Sequence, residues 1–293
     1  MSGLFKSMHW IGRQNLARTF GEKLSEAFEA KGQLCVGIDP HSNLLNAWGV
    51  GDSVAGLREF SLRVVDAAGN SVSIVKPQVS FYERFGAKGF EVLAEVTQSA
   101  RSQGLLVIAD AKRGDIGTTM QAYLEAWFGE KSGLYADALT TSPYLGLGAT
   151  TESFDKWTDL GKGIFSLVAT SNTQGESVQL ASISGSTLAS NQFDQLASLN
   201  ASLPGKIGSF GAVIGATLDL GRFGIKMETS KTPILAPGFG AQGAELSNAS
   251  RIFHDLTNQV VFSVSRSVLE VGAAELSSAI ASARSELNSG LSK

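Results

Sequence analysis

A single cysteine, Cys35, among 293 residues leaves no partner for an intrachain disulfide and no thiolate cluster for a metal. Its setting, Leu34-Cys35-Val36, reads as an inert core thiol rather than a nucleophile. Proline is also scarce: the six residues sit near presumed strand ends or turns, and no Pro-rich linker divides the chain. Positive charge is not in excess, since 24 Lys and Arg face 27 Asp and Glu without a long basic run. That balance argues against nucleic acid or an anionic membrane as the main partner. No apolar stretch approaches the roughly 18 residues that span a bilayer. Residues 1–33 are interrupted by Lys6, Arg13, Arg18, Glu22 and Lys23 and lack the apolar core of a signal peptide. The expectation is a soluble, cytoplasmic protein. Of the three histidines, His9 and His254 read as surface or packing residues, and His41 as either a ligand contact or a turn and helix entry. No spacing suggests a zinc site, and no glycine-flanked serine an acyl-transfer elbow.

What the chain does have is a recurrence of short apolar runs followed by longer amphipathic ones. Strands are predicted at 34–38, 72–76, 105–109, 136–139, 163–168, 210–214, 233–235 and 260–264. Apolar residues return every three or four positions over 54–69, 88–103, 117–130, 243–256 and 270–287, which predicts helices. Alternation of this kind implies a parallel sheet, and eight units imply closure into a (β/α)8 TIM barrel, with a doubly wound open sheet as the alternative. The whole chain, 1–293, reads as one barrel domain, since barrels of this length are routinely undivided. It carries an N-terminal helical lead over 1–33 and a polar insertion over 173–209 after the fifth strand. The insertion is expected to hold a mobile loop and then a helix near 187–199.

The C-terminal ends of barrel strands face one pocket, so the polar residues after each run belong together. They are Asp39; Lys76 and Gln78; Asp110, Lys112 and Asp115; Thr141 and Ser142; Ser171 and Asn172; Gln242; and Arg266. The run Val107-Ile108-Ala109-Asp110-Ala111-Lys112-Arg113-Gly114-Asp115 delivers two carboxylates and a lysine within six residues. Lys76, Asp110, Lys112 and Asp115 would form an alternating charge network, suited to a reaction in which negative charge builds on carbon and a proton follows. The bland counterpart is a structural ion-pair cluster at the barrel rim. A second segment, Ala236-Pro237-Gly238-Phe239-Gly240-Ala241-Gln242-Gly243, precedes a helix predicted to open at Ala244. Glycine backbone, the helix N-terminus and Arg266 on the neighbouring strand end would suit a phosphate.

Asp110-x-Lys112-x-x-Asp115 with Ile116 and Thr119, and Pro237-Gly-Phe-Gly-Ala-Gln-Gly243, together resemble the orotidine 5′-phosphate decarboxylase family. The string DAKRGDIGTT is similar to its longer bacterial subgroup, and the resemblance runs from Val36-Gly-Ile-Asp-Pro40 to Arg266. It implies a homodimeric (β/α)8 barrel with active sites at the subunit interface and neither metal nor organic cofactor. The implied reaction converts orotidine 5′-monophosphate to UMP and CO2 in de novo pyrimidine synthesis. By the same resemblance Lys112 stabilises and protonates the carbanion at C6, Asp110 lies beside the departing carboxylate, and Lys76 pairs with Asp110. Asp39 and Lys76 would hold ribose hydroxyls. Asp115, with Ile116 and Thr119, would reach the partner's site. Ser171 would meet the pyrimidine amide edge, Gln242 would bridge base and phosphate, Arg266 with the Gly240–Gly243 loop would grip phosphate, and Pro237 would belong to the substrate-binding set. Two positions depart from the family pattern: Ser265 stands where glycine often precedes the arginine, and Phe239 where a smaller aliphatic residue is usual.

Two rivals share parts of this pattern. A Mg2+-dependent sugar-phosphate decarboxylase or aldolase-like relative would need an acidic metal ligand at the second strand end, where Lys76 stands. A non-catalytic nucleotide-binding barrel would have no use for the full set of charges.

Overall fold

The computed structural model describes residues 18–292 apart from Met227 and Thr229. Eight parallel strands close on themselves: β1 (Leu34–Ile38), β2 (Ile74–Pro77), β3 (Leu106–Arg113), β4 (Ala138–Thr141), β5 (Gly163–Ala169), β6 (Phe210–Ile214), β7 (Ile234–Ala236) and β8 (Val260–Val264), with β8 pairing back to β1. This is the (β/α)8 barrel expected from the alternation, and the open sheet is set aside by the β1–β8 pairing.

Side-chain alternation along each strand builds the two layers of the core. Cys35, Ile74, Ile108, Ala138, Phe165, Val213, Leu235 and Val261 cluster inside the barrel. Their neighbours Leu34, Val36, Val75, Val107, Ile164, Ala212, Ile234 and Val260 pack outward with the helices. Carried two or four residues further, the inward parity reaches Gly37 and Asp39, Lys76, Asp110 and Lys112, Thr140, and Ser263 and Ser265. The interior column thus turns from apolar to polar towards the C-terminal mouth. Cys35 lies at the apolar level, and burial pushes its thiol up to about 12, as an inert core thiol requires.

The described part of the N-terminal lead has a clear task. Helix Phe20–Lys31 starts with a capping box, in which Thr19 and Glu22 each bond the other's backbone N–H. Its Phe20 and Leu24 are fully buried in the inner cluster, and the Phe20 ring meets Phe165 edge-on at 5.9 Å. A Cβ at Gly21 would stand 1.9 Å from the Ile207 carbonyl, so only glycine lets the helix seat this closely. The helix seals the end of the barrel opposite the mouth. Residues 1–17 of the lead lie outside the described residues.

Several boundaries differ from expectation for physical reasons. β3 runs four residues beyond 109, because Ala111 and Arg113 face outward while Asp110 and Lys112 face in. Arg113 pairs with Glu83, bonds the Ala111 carbonyl and lies 5.8 Å from the Tyr123 and Trp127 rings. The helix expected over 243–256 is instead a 3-10 turn Leu246–Asn248, a short helix Ala249–Phe253 and a 3-10 stretch His254–Gln259. His254 adopts φ 45°, which interrupts the helix despite the apolar period. The last helix is Leu276–Leu291 rather than 270–287, since Gly272 sits at φ 86°. Within 173–209 the helix is Leu188–Ala201, preceded by a short helix Glu176–Gln179 and a hairpin of Ser182–Ile183 with Ser186–Thr187. Among the described residues no helix is long and apolar enough to cross a membrane.

Candidate active site

The last residues of β2, β3 and β4 assemble the centre of the site. Lys76 Nζ lies 2.9 Å from Asp110 Oδ2, and Lys112 Nζ lies 2.5 Å from Asp110 Oδ1. Thr140 Oγ1 donates to the same Oδ1 at 2.9 Å and accepts from the Lys112 backbone N–H at 2.9 Å. Asp110 therefore accepts three hydrogen bonds, with a lysine on each oxygen. Burial alone would raise its carboxyl, but Lys76 and then Lys112 pull it well below the usual carboxylate range. Burial likewise works to lower the Lys76 ammonium, and Asp110 followed by Asp39 outweighs it, so Lys76 is held firmly protonated. The two lysines are not equivalent: the Lys76 side chain is 8% exposed and that of Lys112 44%, so Lys112 is far the more open to the mouth.

Lys112 has φ 49°, a left-handed backbone that costs a non-glycine residue about 1–3 kcal/mol. The β3–β4 register shifts between Ala109 and Arg113, so the bulge and the Thr140 hydrogen bond fix that conformation. Thr140, 1% exposed, is absent from the strand-end residues collected from sequence, where Thr141 stands in its place. Thr141 instead bonds Ser166 at 2.8 Å. Parity carries the missed signal, because Thr140 is two residues beyond the inward Ala138.

Asp115 does not join this cluster within its own chain. Its Oδ1 accepts from the Ile116 N–H at 2.8 Å, Ile116 is 61% exposed, and Thr119 is exposed beside it at the start of helix Gly117–Phe128. The network in one chain has three members rather than four. Gln78, also at the β2 end, leaves Oε1 buried and without a hydrogen-bond partner among the described residues.

At the far side of the mouth, Ser171 Oγ lies 3.3 Å from Gln242 Oε1, bringing the loop after β5 to the glycine loop after β7. The glycine loop is closed on itself. The N–H groups of Gly240, Gly243 and Ala244 donate to the carbonyls of Ala244, Gly240 and Gly238. Those amides shape the loop, and no helix opens at Ala244 to add its N-terminus, contrary to expectation. Gly240, at φ 73°, would place a Cβ 2.5 Å from Ser267, so glycine there lets the loop lie against the turn Arg266–Leu269 after β8. Pro237 offers its carbonyl to Ala216 N at 2.8 Å. Arg266 is exposed at this edge. Phe239 points into the core, 3% exposed and 5.5 Å edge-on from Phe262, so its bulk anchors the loop from behind. Asp39 and Ser265 bond each other between β1 and β8.

A barrel that gathers a lysine-clamped carboxylate, a glycine loop and an arginine at its C-terminal strand ends belongs to the class of enzymes that act on small molecules. The donor set of Lys76, Asp110 and Lys112 suits an ammonium–carboxylate network rather than a divalent cation. Comparison with known proteins makes the class specific. The model of the orotidine 5′-phosphate decarboxylase / HUMPS family matches residues 32–278, and the chain belongs to that family. The orotidine 5′-phosphate decarboxylase of Corynebacterium glutamicum (strain R) is 46% identical over 257 residues, covering 87% of this chain and 91% of the relative. That of Streptomyces coelicolor is 46% identical over 255 residues, covering 86% and 90%. The crystal structure of a provisionally named orotidine 5′-phosphate decarboxylase from Streptomyces avermitilis superposes with a TM-score of 0.90 at 42% identity, covering 100% of both chains.

Proposed function

We propose that this chain is a carboxy-lyase that converts orotidine 5′-monophosphate to UMP and CO2, the closing step of pyrimidine nucleotide synthesis in the cytoplasm. The observation that carries the reading is the clamped carboxylate. In a chain of this family, Asp110 is held charged between a buried lysine and a lysine open to the mouth. Loss of CO2 leaves an electron pair on pyrimidine C6, and a fixed ammonium at that carbon stabilises it without an electron sink. The C6–carboxylate bond breaks, the pair stays on C6, and Lys112 gives C6 a proton and later regains one from solvent. Asp110 lies beside the departing carboxylate, and Lys76 keeps both Asp110 and Lys112 in place. Asp39 and Lys76 take the ribose hydroxyls, Ser171 the pyrimidine edge, Gln242 base and phosphate, and Arg266 with the Gly240–Gly243 loop the phosphate, while Pro237 braces that loop through its carbonyl bond to Ala216. Asp115, Ile116 and Thr119 project from the mouth and serve the site of a second copy in a homodimer. Phosphate held far from C6 orders the loops around the network, so its grip contributes to turnover as well as affinity.

The reaction is read as needing neither metal nor organic cofactor. After exhaustive chelation, purified enzyme should release carboxyl-labelled CO2 from orotidine 5′-monophosphate with matching UMP at an undiminished rate. Loss of activity restored by Mg2+ would transfer the assignment to the enediolate-stabilising relatives.

A further inference from the structure

Asp39 follows β1 and Ser265 follows β8, and these strands are neighbours in the barrel. The Ser265 hydroxyl donates to Asp39 Oδ2. The other carboxylate oxygen, Oδ1, is buried and has no hydrogen-bond partner among the described residues. A buried carboxylate oxygen without a donor is costly, so this atom calls for a donor that arrives with a ligand. Gly37 makes the pairing possible: a Cβ there would stand 2.9 Å from Ser265 Cβ and 3.3 Å from Asp39 Oδ1. Ser265 is the residue immediately before Arg266, so one strand end reaches both the carboxylate and the anion-binding edge.

We propose that Ser265 is a positioning and specificity-determining residue: by engaging Oδ2 it turns Asp39 so that Oδ1 accepts one hydroxyl of the substrate ribose. This inference rests on the nucleotide reading of the site and deepens it. The Ser265 hydroxyl is spent on Asp39 and not on phosphate, and a glycine at this position would leave the carboxylate to find its orientation unaided. Sugar recognition and phosphate recognition are then joined through two adjacent residues, Ser265 and Arg266.

The test measures dissociation constants of UMP, 2′-deoxy-UMP and 3′-deoxy-UMP for the full chain, for Ser265→Ala, for Asp39→Ala and for the double variant, each checked for folding by thermal unfolding. Wild type should discriminate against the analogue lacking the hydroxyl that Asp39 holds, and Asp39→Ala should erase that preference and so identify the hydroxyl. Ser265→Ala should reduce the same preference by about tenfold, the scale of one charge-assisted hydrogen bond. It should leave the other hydroxyl's contribution unchanged. The double variant should be no less discriminating than Asp39→Ala alone, because the two residues act in series. Equal weakening of all three nucleotides by Ser265→Ala, an unchanged preference, or additive losses would overturn the positioning role. Failure of wild type to bind any of the three would overturn the nucleotide reading itself, a distinct result.

Discussion

Lys112 and Lys162 show one side-chain type put to two uses by its surroundings. Lys112 stands open at the mouth beside Asp110, and the strand-end cluster of charge made that placement legible from sequence. Its left-handed backbone and its bond to Thr140 were not legible, because they follow from a bulge that pairs β3 with β4. Lys162 is 1% exposed before β5, with Nζ 2.8 Å from the Ala136 carbonyl and 3.5 Å from the Tyr135 ring centroid. A lysine one residue ahead of an apolar strand carries no sign of such burial, which depends on the Tyr135 ring arriving from another part of the chain. Burial pushes Lys162 down to about 8, against the opposing pull of Asp137 and with the help of Lys23 and Arg101. Between that value and the ordinary lysine value near 10.5 the unfolded chain binds more protons, so this residue adds stability as pH rises through the window. Relative to Lys162→Met, wild type should therefore gain in Tm between about pH 7 and about pH 9.5. A gap that stays constant across that range would remove the buried ammonium from the account.

At the scale of elements, the apolar runs located every barrel strand to within a few residues, and the amphipathic periods located the helices at 54–69, 88–103 and 117–130. The segment 243–256 kept a helical period yet folded as a short α-helix between two 3-10 stretches, since Leu246, Ala249 and Phe253 reach the core from short pieces. Periodicity reports which side is buried, not whether the hydrogen bonds run to i−4. The polar tract after β5 gave one helix correctly and concealed a second short helix, whose Gln179 bonds both the N–H and the hydroxyl of Thr170. Helix Phe20–Lys31 was legible as a helical lead, but its seat in the barrel was not, since Phe20 meets Phe165 across more than a hundred residues of chain. Phe20→Ala should cost roughly 3–5 kcal/mol by denaturant unfolding, the scale for emptying an aromatic site in a packed core. A loss of only a few tenths would mean that the inner cluster does not depend on this plug.

At the scale of the whole molecule, a charge network built from three strand ends explains why one chain has a centre and yet leaves Asp115 unused by it. Ile116 at 61%, Tyr144 at 83% and Leu145 at 54% exposed stand as apolar surface on the loops after β3 and β4, and Ile116 adjoins the same carboxylate. If Asp115 completes the site of a second copy, neither Lys112→Ala nor Asp115→Ala alone should turn over efficiently. Mixing them under subunit exchange should restore one intact site per heterodimer, about a quarter of wild-type activity for random pairing of equal amounts. A mixture as inactive as its parents would argue that each barrel works alone. Sequence made the closed barrel readable because eight strands alternate with helices, but it offered four charges as one network and could not show that they divide three and one.

The claim at the centre of this account is that decarboxylation proceeds through Lys112, and the loss of orotidine 5′-monophosphate absorbance by wild type and Lys112→Ala, read beside UMP affinity, tests it most directly. Wild type should consume substrate, and the variant should lose turnover by at least about a thousandfold while still binding UMP, as expected when a principal transition-state charge is removed. Substantial turnover by Lys112→Ala, or no turnover by wild type, would contradict it.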